Sequence, residues 1–140
     1  MMAFVIGAGL AAIVAVFAQV VGFHRERSFY PVVLIVIALL YLLYAVIGGS
    51  NAALLAESLP ALVFIAMAVA GFRGSPWIVA AGLVLHGVFD FFHGSVITNP
   101  GVPSFWPAFC GAYDVVAGAG YAFVLMRREQ GGAGAPGRGP

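Results

Sequence analysis

His86, Asp90 and His93 stand at i, i+4 and i+7 inside an otherwise apolar stretch of a 140-residue chain. With a 3.6-residue helical period they project at about 0°, 40° and −20°, so all three share one side of a helix. The stretch is long enough to cross a bilayer. A carboxylate at a bilayer centre costs roughly 2.5–3.5 kcal/mol on insertion scales. Such groups are kept where they pair, bind something or move protons. A His–Asp–His face suits a mononuclear zinc site whose open position carries water.

Two more carboxylates sit in apolar stretches, Glu57 and Asp114. Where three carboxylates and two imidazoles are held together in low dielectric, the charges of one sign repel strongly unless something compensates. A divalent cation does so, and Zn, Fe, Mn and Ni all accept such ligands, with geometry selecting among them. The set matches the ligand kit of di-iron helical bundles, although their Glu-x-x-His signature is missing. The candidate metal ligands are therefore His86, Asp90, His93, Asp114 and Glu57, with Zn or Fe as the expected ion. Glu57 and Asp114 are also the candidate catalytic groups: the one not bound to metal would act as general base on water.

Plainer roles compete. His93 alone reads as an interfacial histidine and Glu57 as a residue of a helix start. Cys110 reads as a small buried hydrophobe, and Tyr41 and Tyr44 as aromatic-belt residues. His24, beside Arg25, reads as solvated. For the whole set the competing account is a hydrogen-bond network with some carboxylates protonated. Asp114, His86 and Asp90 lie too deep in apolar segments for a surface explanation.

The elements that position these groups follow from composition. The chain is 63% hydrophobic and 8% charged, against about 25% charged for ordinary globular chains. It is expected to be an all-α, polytopic membrane helix bundle, with membrane lipid as its surroundings and no nucleic-acid partner. Five transmembrane spans are predicted, over 3–23, 29–47, 52–72, 76–94 and 105–126, each sufficient for a ~30 Å hydrocarbon core. Residues 130–140, rich in Gly and Pro, are expected to form a disordered tail. The single cysteine excludes an intrachain disulfide.

All six basic residues are arginines, at 25, 27, 73, 127, 128 and 138. Five spans put every one on the same side, whereas four would scatter them. The positive-inside rule makes that side cytoplasmic, with the N-terminus outside and the C-terminus inside. A bacterial plasma (inner) membrane is the expected location. Gly7, Ala11 and Ala15, and Ala66 and Ala70, repeat every four residues and predict close helix contacts, with a homo-oligomer as one use of such faces. Gly7-Ala-Gly-Leu-Ala-Ala matches a dinucleotide fingerprint only on paper, because no strand precedes it.

This topology brings the polar groups to one depth. Counting 1.5 Å per residue, Glu57 and Asp90 lie about 6–8 Å from the outer ends of their spans. His86 and Asp114 lie about 12–14 Å deep, and His93 is near the rim. On the fifth span Cys110, Asp114, Ala117 and Tyr121 share a face. Pro60 frees the carbonyl of Ala56, next to Glu57. Asn99-Pro100-Gly101 fits a tight turn and, with Pro103 and Pro107, gives a stiff outer loop able to cap the site.

The order His86-x-x-x-Asp90-x-x-His93, Asn99-Pro-Gly-Val-Pro103 and Cys110-x-x-x-Asp114 resembles a domain-of-unknown-function family of small integral membrane proteins. That family has a glutamate upstream, in the position of Glu57. The resemblance covers roughly residues 44–121 and implies a shared polar site without implying a reaction. Ceramidase-related membrane hydrolases also place His and Asp around zinc at outer helix ends, with seven spans and another motif order, so they serve only as an analogy. The expected function is a metal-dependent membrane hydrolase acting on a lipid or other apolar substrate. An oxygen-using di-iron or copper enzyme is a variant of it. Metal-ion or proton transport or sensing, and a structural subunit without catalysis, are the alternatives. Transport is disfavoured because the inner halves of the spans carry almost no ionisable residues.

Overall fold

The computed structural model describes residues 1–133. They form five helices: α1 (Met2–Val21), α2 (Phe29–Ile47), α3 (Asn51–Arg73), α4 (Trp77–Val96) and α5 (Trp106–Ala133). A short 3-10 turn, Phe23–Arg25, joins α1 to α2. All five helices are long and apolar enough to cross a membrane. The bundle matches the predicted spans, with ends shifted by a few residues at most positions.

The largest shift is at the end of α5, which continues past residue 126 to Ala133. Arg127, Arg128, Glu129 and Gln130 are all good helix formers. Their side chains also find partners. The Arg127 guanidinium lies 4.5 Å from the Phe123 ring centroid, and Trp77 Nε1 donates to Glu129 Oε1 at 2.9 Å. The first residues of the expected disordered tail are thus helical. Residues 134–140, which include Arg138, lie outside the described residues.

Helix ends follow local chemistry. Gly22 takes a left-handed conformation (φ 92°) and its N–H bonds to Ala18 O, closing α1. The α2–α3 link is two glycines and a cap: Gly49 has φ 64°, and Ser50 accepts from Ala53 N–H at 3.1 Å. Pro60 is accommodated inside α3.

α5 packs against α4 and α1, α3 packs against α2 and α4, and α2 also meets α4. The bundle is thus an arc in the order α1, α5, α4, α3, α2, with a groove left between α1 and α2. Small residues allow the closest approaches. A Cβ on Gly87 of α4 would lie 2.8 Å from Gly111 O of α5 and 3.1 Å from Asp114 Cβ. Gly7 and Ala11 are buried on α1, and Gly7 faces the Phe109 backbone of α5. Ala66 and Ala70, by contrast, are exposed, and α3 instead buries Ala61, Ala68 and Gly71. The four-residue spacing was real on both helices, but on α3 it marks the outward face.

Packing has an apolar heart of Leu34, Phe64, Val79, Leu83 and neighbours, with Tyr30 and Tyr121 stacked at 3.9 Å. Large apolar side chains such as Leu55, Leu62, Phe92 and Val96 point outward, the arrangement of a bundle surrounded by hydrocarbon. At one end Arg27 donates to Gly74 O at 2.7 Å and Arg128 donates to His24 O. His24 Nδ1 lies 3.2 Å from Ala18 O, so it is partly buried and bonded rather than freely solvated. These contacts gather Arg25, Arg27, Arg73, Arg127 and Arg128 at the same end, as the five-span count requires.

Candidate metal centre

The buried face of α4 is built from Val79, Gly82, Leu83, His86, Gly87, Asp90 and His93. Apolar and small residues fill its lower turns, and the ionisable ones its upper turns. This face meets α5, where Cys110, Asp114, Ala117 and Tyr121 are all buried. Gly87 and Gly111 remove the side chains that would hold the two backbones apart. The polar groups therefore meet because a glycine lies one residue beyond His86 and another lies one turn before Asp114.

His86 Nδ1 lies 2.7 Å from Asp114 Oδ2 and 3.7 Å from Asp90 Oδ1. The first is a charge-assisted hydrogen-bond distance and the second is beyond hydrogen-bond reach. Ligand atoms of His86, Asp90 and Asp114 all lie within 4.8 Å of one another, a group able to hold a metal ion. Around a tetrahedral ion with bonds of 2.0–2.1 Å, ligand atoms are roughly 3.3 Å apart. The His86 separations of 2.7 and 3.7 Å bracket that value, and the ligand atoms of Asp90 and Asp114 lie within 4.8 Å of each other.

Tyr41 of α2 completes the group. Its hydroxyl donates to Asp90 Oδ1 at 2.7 Å, and its ring stacks on His93 with centroids 3.9 Å apart. Cys110 Sγ is 4.0 Å from Asp114 Oδ2, the limit for a weak thiol donor. Two carboxylate oxygens of the triad, Asp90 Oδ2 and Asp114 Oδ1, are buried without a hydrogen-bond partner.

Glu57 and His93 lie together beside this triad. His93 Nε2 is 2.7 Å from Glu57 Oε1. The same oxygen accepts from Asn99 Nδ2 at 3.0 Å, and that amide also donates to Tyr41 O. Glu57 Oε2 has no partner. The five ionisable residues singled out from the sequence are thus all brought to one buried region, at 0–2% exposure. They form two groups, a His–Asp–Asp triad and a His–Glu pair, with Tyr41 between them.

Asn99 is held by the loop after α4. Val102 N–H bonds to Asn99 O at 3.2 Å, closing the expected turn. Gly101 does not take a left-handed conformation. It is a glycine because its Cα faces the Tyr44 carbonyl and the Gly48 backbone at the end of α2, leaving no room for a side chain. The loop is thereby pinned over the ends of α2 and α3.

Two residues have site roles that their sequence context does not announce. By sequence Tyr41 reads as an aromatic-belt residue, yet it is 2% exposed. α2 is apolar all round, so no periodicity orients it. By sequence Asn99 reads as a turn former, and its amide serves the site as well. Tyr44 packs on Trp106 with centroids 5.0 Å apart, near the same end of the bundle.

Comparison with protein-family models, with curated proteins and with solved structures gives no match to this chain. The functional reading therefore rests on the chain's own geometry. What that geometry establishes is a membrane-type helical bundle enclosing a His–Asp–Asp group able to hold a metal ion.

Proposed function

We propose that this is an integral membrane protein that binds one divalent cation between α4 and α5 through His86, Asp90 and Asp114. The carrying observation is the excess of carboxylate at that place. Two aspartates share one imidazole, all three groups are essentially unexposed, and one oxygen of each aspartate lacks a partner. With both aspartates ionised, even a protonated His86 leaves the triad one negative charge in excess, and buried charge without compensation is costly. Imidazole and carboxylate together fit Zn or Fe(II).

The finer reading is a metal-dependent hydrolase acting on a lipid or other apolar substrate. Three protein ligands with a further position open is the pattern of catalytic rather than structural zinc. An ion held there would supply Lewis acidity to a substrate carbonyl or to water. Tyr41 holds Asp90 in place through its hydroxyl. Glu57, bonded to His93, is the nearest carboxylate outside the triad and is suited to accept a proton in the general-base role. The arginine-bearing end is placed in the cytoplasm by the positive-inside rule, which puts the polar site in the outer half of a bacterial inner membrane.

One observation favours a second reading, a closed hydrogen-bond network that stabilises the bundle. Both imidazoles already sit 2.7 Å from a carboxylate. Thermal unfolding separates the two. With a bound ion, chelation lowers the melting temperature and Asp90→Asn abolishes that response. A network without metal predicts no chelator effect at all.

A further inference from the structure

An ion bound at the triad must pass through protein, because its three ligands are 0–1% exposed. Along the bundle axis there are two directions. Toward the arginine-bearing end lies a packed layer of Leu34, Phe64, Ala68, Val79 and Leu83. The Phe64 ring stands edge-on to His86, with centroids 4.6 Å apart. An ion crossing that layer would lose its water and gain no oxygen in return, which is costly. Among the described residues, every buried carboxylate and imidazole lies on the other side of it.

Toward the loop that joins α4 to α5, polar atoms continue. His86, Asp90 and His93 stand ten, six and three residues before Val96, the last of α4, or about 15, 9 and 5 Å from its end. Tyr41 connects the steps, since its hydroxyl bonds to Asp90 and its ring lies on His93. Beyond them Glu57 Oε1 accepts from the Asn99 amide, while Glu57 Oε2 is buried without a partner. Asn99 is half-buried between exposed Thr98 and Pro100. One residue thus separates the Glu57 carboxylate from the surface.

Loop 97–105 is held lightly. Its backbone bonds are local, from Ile97 N–H to His93 O and from Val102 N–H to Asn99 O. Among the described residues, its only hydrogen bonds to other helices are the two from the Asn99 amide, to Tyr41 O and Glu57 Oε1. Gly101 packs on the end of α2 without such a bond. We propose that the cation enters from this end, halts at the free oxygen of Glu57 and passes on to the triad, with loop 97–105 as the gate and Asn99 as its latch. The inference rests on the metal-binding reading of the triad. Moving the Asn99 amide away also frees a lone pair on Glu57 Oε1 for the incoming ion. A gate sets how fast the ion enters and leaves, not how tightly it is held.

Stopped-flow uptake of zinc by the full chain in detergent, and its release to excess EDTA, test the route. Asn99→Ala should speed both about ten-fold, the worth of one hydrogen bond to a charged group, and leave affinity unchanged. Glu57→Gln should slow both about ten-fold, because it removes the charge that draws the cation in. Gly101→Ala, whose Cβ would meet the Tyr44 carbonyl and lift the loop, should speed both and serves if Asn99→Ala does not fold. Arg27→Gln, which cuts the bond to Gly74 O at the other end, should change neither. In vesicles holding wild type in one orientation, EDTA should strip zinc from the loop side and not from the arginine side. Protein that takes up no zinc overturns the metal reading and the route with it. Zinc that binds at rates unmoved by both loop variants, or that is stripped from the arginine side, overturns the route alone. Wild-type rates in Glu57→Gln would overturn the halt at Glu57. Faster release with weakened affinity in Asn99→Ala would overturn the latch.

Discussion

The two polar groups in the bundle use the same motif and differ in their charge balance. In each, an imidazole lies 2.7 Å from a carboxylate. His93 has one carboxylate partner, Glu57, and the neutral amide of Asn99 supports it. His86 has two aspartates, Asp114 in contact and Asp90 at 3.7 Å. A His–Glu pair can neutralise itself by sharing a proton. A His–Asp–Asp triad cannot reach neutrality that way with both aspartates ionised. The comparison teaches that imidazole–carboxylate contact alone does not mark a cation site. With both aspartates ionised, the unbalanced carboxylate is what makes the triad, rather than the pair, the candidate cation site.

The comparison breaks most visibly at His86. His86→Ala should remove the metal and leave two buried aspartates facing each other. Loss of one partner from a buried charged group costs about 3–5 kcal/mol, so a large fall in unfolding stability is expected in detergent denaturation. Next comes the helix seam. Gly87→Ala puts a Cβ 2.8 Å from the Gly111 carbonyl, where backbone cannot yield easily. Overpacking of this kind costs about 1–3 kcal/mol. Because it separates α4 from α5, it should weaken metal binding along with stability. An equivalent change at exposed Gly94, where nothing lies near the new Cβ, should do neither.

Smaller effects sharpen the contrast. Tyr41→Phe removes the hydroxyl from Asp90 and leaves the ring stacked on His93. Loss of such a supporting bond should reduce metal affinity about 10–100-fold, measured by competition with a chelating dye. Asn99→Ala acts on the other group. It removes two amide hydrogen bonds, should cost about 1–3 kcal/mol if Glu57 Oε1 is left short of partners, and should leave metal affinity unchanged. A drop in metal affinity with Asn99→Ala would mean that the two groups act as one site.

How much of this was legible beforehand depends on what each residue announces. The i, i+4, i+7 spacing of His86, Asp90 and His93 fixes a shared helical face whatever the fold. Asp114 announces itself by depth in an apolar span, and the arginines announce which ends meet. Nothing in the spacing says that His93 turns to Glu57 while His86 turns to Asp114. Residues 86 and 93 differ in direction by only about 20°, and the division is made by which neighbour, α3 or α5, lies opposite each turn. Tyr41 stayed hidden because a helix of Leu, Ile and Val has no polar side to orient it. The groove was illegible for a related reason: helix packing order is set by small residues such as Gly7, Gly87 and Gly111, and their partners are known only once the bundle is folded.

The central claim is that the triad, and not the pair, holds a divalent cation. Metal content of purified protein, loaded with Zn or Fe(II), dialysed and measured by inductively coupled plasma mass spectrometry, tests it directly in wild type, His86→Ala and Glu57→Gln. The account predicts one ion per chain in wild type and in Glu57→Gln, and none in His86→Ala. A wild-type protein without stoichiometric metal, or a His86→Ala variant that keeps it, would contradict the claim.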